Sequence, residues 1–247
     1  MLSDALNVML IPILIGLAFS FVLEQLHQPR PLPPWQRRPG YLLIHIGLWL
    51  LLYLVEFIQF GRPWLALCLT STIFYVLVLI NHAKFNALRE PFIYQDFEYF
   101  VDALKHPRLY LPFFGFLKIL LCLAVVGLAL WIGLSLETAL WHSFSVERVL
   151  FAGGVVLSCA IAMLLVGHRY ASHLSYAPLE DFKHRGLFAL FWHYAWAMRG
   201  APALADVAQQ STLSPAAVTD TQQKLYDTVI VQSESFFDPR RAFNMIE

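Results

Sequence analysis

The sequence predicts an α-helical transmembrane bundle of five spans followed by the first strand of a truncated α/β domain. Three observations carry this prediction. Of 247 residues, 58% are hydrophobic and only 14% are charged, which suits a lipid bilayer and excludes a disordered chain. Apolar stretches of span length recur along the first two thirds of the chain. From Ala201 the composition changes to Ala, Gln, Ser and Thr, and a β-branched run follows at Thr228–Val231. With 17 Lys+Arg against 17 Asp+Glu there is no excess of positive charge to grip a polyanion, so no nucleic-acid partner is expected. Cys68, Cys122 and Cys159 each sit inside an apolar run and read as small core residues.

A helix needs about 20 mostly apolar residues to cross a hydrocarbon core of roughly 30 Å, because its backbone groups must be satisfied within the segment. Ala5–Leu23, Tyr41–Phe60, Trp64–Ile80, Leu111–Leu134 and Val149–Val166 meet that requirement. Tyr41, Trp64 and Trp131 fall near span ends, at headgroup level. The first stretch has no preceding Lys or Arg, carries Asp4 and lacks a clear cleavage site, so it reads as a retained span. The expected division is 1–168 for the spans, 169–213 for a juxtamembrane amphipathic segment and linker, and 214–247 for the start of the α/β domain.

Between spans one and two, the prolines of Gln28–Gly40 forbid continuous helix and favour extended chain. Gly61-Arg62-Pro63 is a tight hairpin between spans two and three. Asn81–Tyr110 is polar and aromatic, as expected of short helices at the interface. Gly186–Met198 is too short to cross but apolar enough to lie on the membrane. Glu56 and Lys118 lie within spans near opposite faces, and each is expected to reach its nearer interface. His45, with no second ligand nearby in sequence, reads as a neutral hydrogen-bonded packing residue.

In the C-terminal segment, Ser214-Pro215 supplies an N-cap and first-turn pair for a short helix to about Lys224. Thr228-Val229-Ile230-Val231 then reads as a strand buried on both faces. Its carboxyl end delivers Gln232-Ser233-Glu234-Ser235, the position where ligands of open α/β sheets gather, and Glu234 is a candidate ligand of a hard divalent cation. A helix N-cap region rich in Ser and Glu accounts for the same residues without a metal.

Tyr226-Asp-Thr-Val-Ile-Val-Gln-Ser-Glu-Ser-Phe-Phe-Asp-Pro239 resembles the opening strand and first metal-ligand loop of the lipoteichoic acid synthase and phosphoglycerol transferase family, a sulfatase-like branch of the alkaline phosphatase superfamily. Ala83-Lys-Phe-Asn-Ala-Leu-Arg-Glu-Pro-Phe-Ile-Tyr-Gln-Asp-Phe97 resembles the Lys, Glu-Pro and Asp pattern found after the third span of such proteins. The resemblance implies a multi-pass anchor in the bacterial cytoplasmic (inner) membrane, an extracytoplasmic catalytic domain, and phosphatidylglycerol as the anionic phospholipid donor. It implies that Glu234 is the first carboxylate ligand of a manganese or magnesium ion, and that a Thr further along is the nucleophile. No Thr follows Thr228, so these 247 residues are expected to be inactive alone, with no cation held by one carboxylate. Lys84 and Arg89 are candidate contacts for the lipid phosphate, with interfacial anchoring as their alternative role. A phosphoethanolamine transferase and a non-catalytic membrane scaffold are the alternative functions.

Orientation divides the two lines of reasoning. Arg30, Arg37, Arg38, Lys84, Arg89, Lys105 and Arg108 in the first and third connections outnumber Arg62 and Arg148 in the second and fourth, which favours a cytoplasmic C-terminus. The resemblance implies an external one, and that is the expectation adopted.

Overall fold

The computed structural model describes residues 3–98, 105, 116–171 and 174–199. Its helices are α1 (Ser3–Glu24), α2 (Pro39–Phe60), α3 (Pro63–Leu88), α4 (Phe116–Leu136), α5 (Leu140–Ser143), α6 (Val146–Tyr170), α7 (Pro178–Arg185) and α8 (Leu187–Arg199), with 3₁₀ turns at Pro34–Gln36 and Tyr94–Phe97. Five of the helices are long and apolar enough to cross a membrane. They are α1, α2, α3, α6 and a stretch that includes most of α4, and they contain or overlap the five expected spans. The expected strand Thr228–Val231 lies outside the described residues, as does Glu234.

Local chemistry accounts for the helix ends. Pro39 and Pro63 occupy first-turn positions of α2 and α3, where a missing N–H costs nothing. Gly61 closes α2 at φ 63°, and its N–H donates to Phe57 O at 2.7 Å. The first-turn N–H groups of α3 are satisfied from elsewhere: Trp64 and Leu65 donate to Glu137 Oε1 and Oε2 at 3.0 and 2.9 Å. A carboxylate just beyond α4 thereby caps α3 and ties the two helices at one end of the bundle. At that end, too, Leu140 N–H donates to Gly61 O at 2.8 Å.

The middle of the bundle is α2, which packs against α3 and α6, while α4 packs on α3. Trp49, Tyr53 and Ile44 of α2 are fully enclosed. The contact with α6 depends on small residues: a Cβ on Gly40 would meet Gly167 O at 2.8 Å, and one on Gly47 would meet Ala160 O at 2.9 Å. Lipid provides little hydrophobic drive between helices, so such close backbone approach supplies the packing that holds the pair.

Two elements depart from the hydropathy reading. Helix α3 continues past Ile80 to Leu88, because its polar last turns find partners in the connections. Asn81 Nδ2 donates to Gln28 O at 2.7 Å and Asn81 Oδ1 accepts from Phe92 N–H at 2.8 Å, while His82 Nε2 lies 2.6 Å from Leu26 O. Helix α8, expected to lie on the membrane, instead packs against α2 and the Tyr94–Phe97 turn. Its Phe188 ring stands 4.7 Å from Phe74, and Phe191 stands 5.5 and 5.2 Å from Phe92 and Phe97. Ring-to-ring contacts with the protein thus take the face that lipid was expected to cover.

Candidate functional site

The end of α1, the start of α2 and the turn between α7 and α8 meet at one end of the bundle, where the end of α3 joins the first connection through Asn81 and His82. Buried polar groups concentrate there. Glu24, the last residue of α1, is fully enclosed. Arg37 Nη1 donates to Glu24 Oε2 at 2.6 Å, and both side chains are 0% exposed. Leu187 N–H, at the start of α8, donates to Glu24 Oε1 at 3.1 Å. His45 Nδ1 stands 3.4 Å from the same oxygen, and its Nε2 lies 2.9 Å from Ser20 Oγ. The Ser20 hydroxyl donates to Leu17 O at 2.8 Å.

Gly186 makes this junction possible. It sits at φ 77°, which a side chain resists, and a Cβ there would collide with Glu24 Oε1 and Arg37 Nη1. One carboxylate therefore joins α1, the proline-rich connection and the turn between α7 and α8. An acidic residue in the last turn of a helix opposes the macrodipole, so Glu24 needs such partners.

Neighbouring groups are held neutral by burial. His27 sits edge-on to Phe74 and Phe182, at 6.1 and 5.4 Å, and neither ring nitrogen has a partner. Burial pushes its pKa down to about 3; the charges of His82, His45 and Arg37 add to this, and Glu24 opposes it. His193, whose Nδ1 lies 2.6 Å from Ala189 O, is pushed down to about 4, again chiefly by burial. Tyr194 is pushed up to about 12 by burial and by Asp181, to whose Oδ2 its hydroxyl donates at 3.4 Å. Arg185 Nε donates to Asp181 Oδ1 at 3.1 Å, and its guanidinium lies 4.9 Å above the Tyr41 ring.

Ser20, His45 and Glu24 follow the order of a Ser–His–acid relay, but Ser20 is 1% exposed and a substrate carbonyl has no access to its hydroxyl. The arrangement is suited to holding helices together. Among the described residues no group of three or more His, Cys, Asp or Glu is placed to hold a metal ion.

The residues singled out from sequence are dispersed. Lys84 Nζ pairs with Asp96 Oδ2 at 2.6 Å, with each side chain 14% exposed, and Asp96 Oδ2 also accepts from Ile93 N–H at 2.7 Å. Arg89 ends α3 at φ 61°, exposed, with its guanidinium 6.0 Å from the Phe85 ring centroid. The two basic residues therefore face different surroundings. Glu56, in the last turns of α2, is 9% exposed. The burial and the hydrogen bond expected of His45 are present, through Nε2 and Ser20, and a carboxylate that sequence did not reveal stands beside its Nδ1. The side chain of Lys118 lies outside the described residues. The sequence reading passed over Glu24 and counted Arg37 only as an orienting charge, although an acidic residue closing a helix was the available signal.

Comparison with protein-family models, characterised proteins and solved structures returns no match to this chain.

Proposed function

We propose that this chain is the membrane-anchoring part of a sulfatase-like, metal-dependent phosphoglycerol transferase that draws on phosphatidylglycerol, with its C-terminal residues outside a bacterial cytoplasmic membrane. The observation that carries the reading is the run Val229-Ile-Val-Gln-Ser-Glu-Ser-Phe-Phe-Asp-Pro239, following five helices of spanning length. The pairing of Lys84 with Asp96 supports it further, since it provides a physical reason for the Lys and Asp of the second resembling segment to occur at their spacing. The cations that argue for a cytoplasmic C-terminus carry less weight once Arg37 and Lys84 are engaged by Glu24 and Asp96 inside the fold.

In this reading a divalent cation would polarise the transferred phosphate. The described residues contribute anchoring: α8 docks through Leu187 onto Glu24, which sets where the chain leaves the bundle. The test uses the product of the complete reading frame in nanodiscs containing phosphatidylglycerol and manganese. It should release diacylglycerol, and Glu234→Ala should reduce that release by at least about 100-fold while helicity is kept. Full turnover and unchanged metal stoichiometry in Glu234→Ala refute the assignment, and release only from phosphatidylethanolamine transfers it to the other lipid.

A further inference from the structure

Two imidazoles are shut inside the interface that docks α7 and α8 on the bundle. His27 is 1% exposed, and among the described residues neither of its ring nitrogens has a partner. Phe74 of α3 and Phe182 of α7 stand nearly perpendicular to its ring, and Phe182 is itself fully enclosed. His193 of α8 is 5% exposed, and its Nε2 is likewise buried without a partner. Its ring stands perpendicular to Tyr41 of α2 at 5.9 Å and stacks on His168 of α6 at 5.8 Å. Polar ties hold the same interface, among them Leu32 N–H to Lys183 O at 2.8 Å and Leu187 N–H to Glu24 Oε1 at 3.1 Å.

The charged and titratable groups around His27 are Glu24, His45, Arg37 and His82, and those around His193 are Arg185, His168 and Asp181. Both carboxylates among them are already engaged, Glu24 by Arg37 and Asp181 by Arg185. A proton arriving on either imidazole would therefore add a buried charge with no uncommitted anion beside it.

We infer that α7 and α8 form an acid-released cover, which lifts from the end of the bundle when His27 and His193 take up protons that the docked interface cannot accommodate. The sign follows from linkage. Burial holds the two docked imidazoles at about 3 and about 4, whereas exposed ones titrate near 6.5. The lifted state thus binds protons that the docked state refuses, so docking is at full strength above about 6.5 and weakens as pH falls toward the docked values. The inference goes beyond the transferase reading and does not depend on Glu234 or on turnover.

The test is amide hydrogen exchange, read by mass spectrometry on the 247-residue chain in neutral detergent between pH 7 and 5 and corrected for the intrinsic pH dependence of exchange. Carboxylates titrate mainly below that window. Across it, each imidazole exposed by lifting should multiply the lifted population by roughly 25, and protection of residues 178–199 should fall accordingly. Residues 46–54, at the centre of α2, should keep their protection. His27→Phe and His193→Phe should each remove about one such factor. His184→Gln should remove none, because that side chain of α7 is already 61% exposed when docked. An equal fall at the centre of α2 would mean that acid unfolds the whole bundle, and it overturns the cover. Protection of residues 178–199 that ignores pH, or a fall kept in full by the double histidine variant, overturns it as well. The comparison of the two segments in the unsubstituted chain decides the first two outcomes even if a variant fails to fold.

Discussion

Replacing Glu24 by Gln removes one charge and little volume. The amide oxygen still accepts from Leu187 N–H, which now donates at 3.1 Å, but the Arg37 guanidinium, 0% exposed, loses the carboxylate 2.6 Å away. Breaking a buried pair from one side strands a desolvated charge, and the expected loss is about 3–5 kcal/mol. Removing Arg37 as well, with Met, deletes the stranded charge. The double variant should therefore be at least about 2 kcal/mol more stable than the sum of the two single losses implies. Reversible SDS-induced unfolding in mixed micelles, followed by tryptophan emission, measures each difference. Additivity of the two substitutions within about 0.5 kcal/mol would show that the residues do not act on each other, and the argument for a joining ion pair would fail.

Gly186→Ala should lower stability by about 2–4 kcal/mol in the same assay, because the new methyl group strikes Glu24 and Arg37 from a backbone at φ 77°; a neutral result would mean that α8 docks in some other way. His27 and His193 are held at about 3 and 4, below their usual 6.5, so between those limits the unfolded chain binds protons that the folded chain refuses. Stability should fall as pH drops below about 6.5, by up to about 1.4 kcal/mol per unit for each histidine. His27→Leu should reduce that slope while costing little at pH 7.5, and an unchanged slope would acquit His27. In a background with Cys68, Cys122 and Cys159 changed to alanine, Ser214→Cys should react with an impermeant maleimide on intact spheroplasts. Reaction only after lysis would place the C-terminal residues inside.

Legibility follows the range of the forces involved. The hairpin at Gly61-Arg62-Pro63 was readable because a left-handed glycine followed by a first-turn proline is a local instruction. Helix α3 was cut short at Ile80 because hydropathy scores Asn81 and His82 as exits, whereas their side chains are satisfied by Gln28, Leu26 and Phe92. Lys84 was readable as a residue of interest, but its engagement with Asp96 depends on how the chain folds back after Leu88. Nothing in the composition of Leu187–Arg199 distinguishes a helix resting on lipid from one resting on the rings of Phe74, Phe92 and Phe97.

By itself the sequence determined the number and approximate position of the five long apolar helices, since a segment that satisfies its own backbone within a bilayer carries its evidence locally. Only the tertiary structure decided which charges are spent inside the fold. Glu24 meets Arg37 and Leu187, and Glu137 meets the first turn of α3, across separations that no local pattern encodes. A desolvated charge takes whichever partner the packing of helices and connections brings within hydrogen-bond reach.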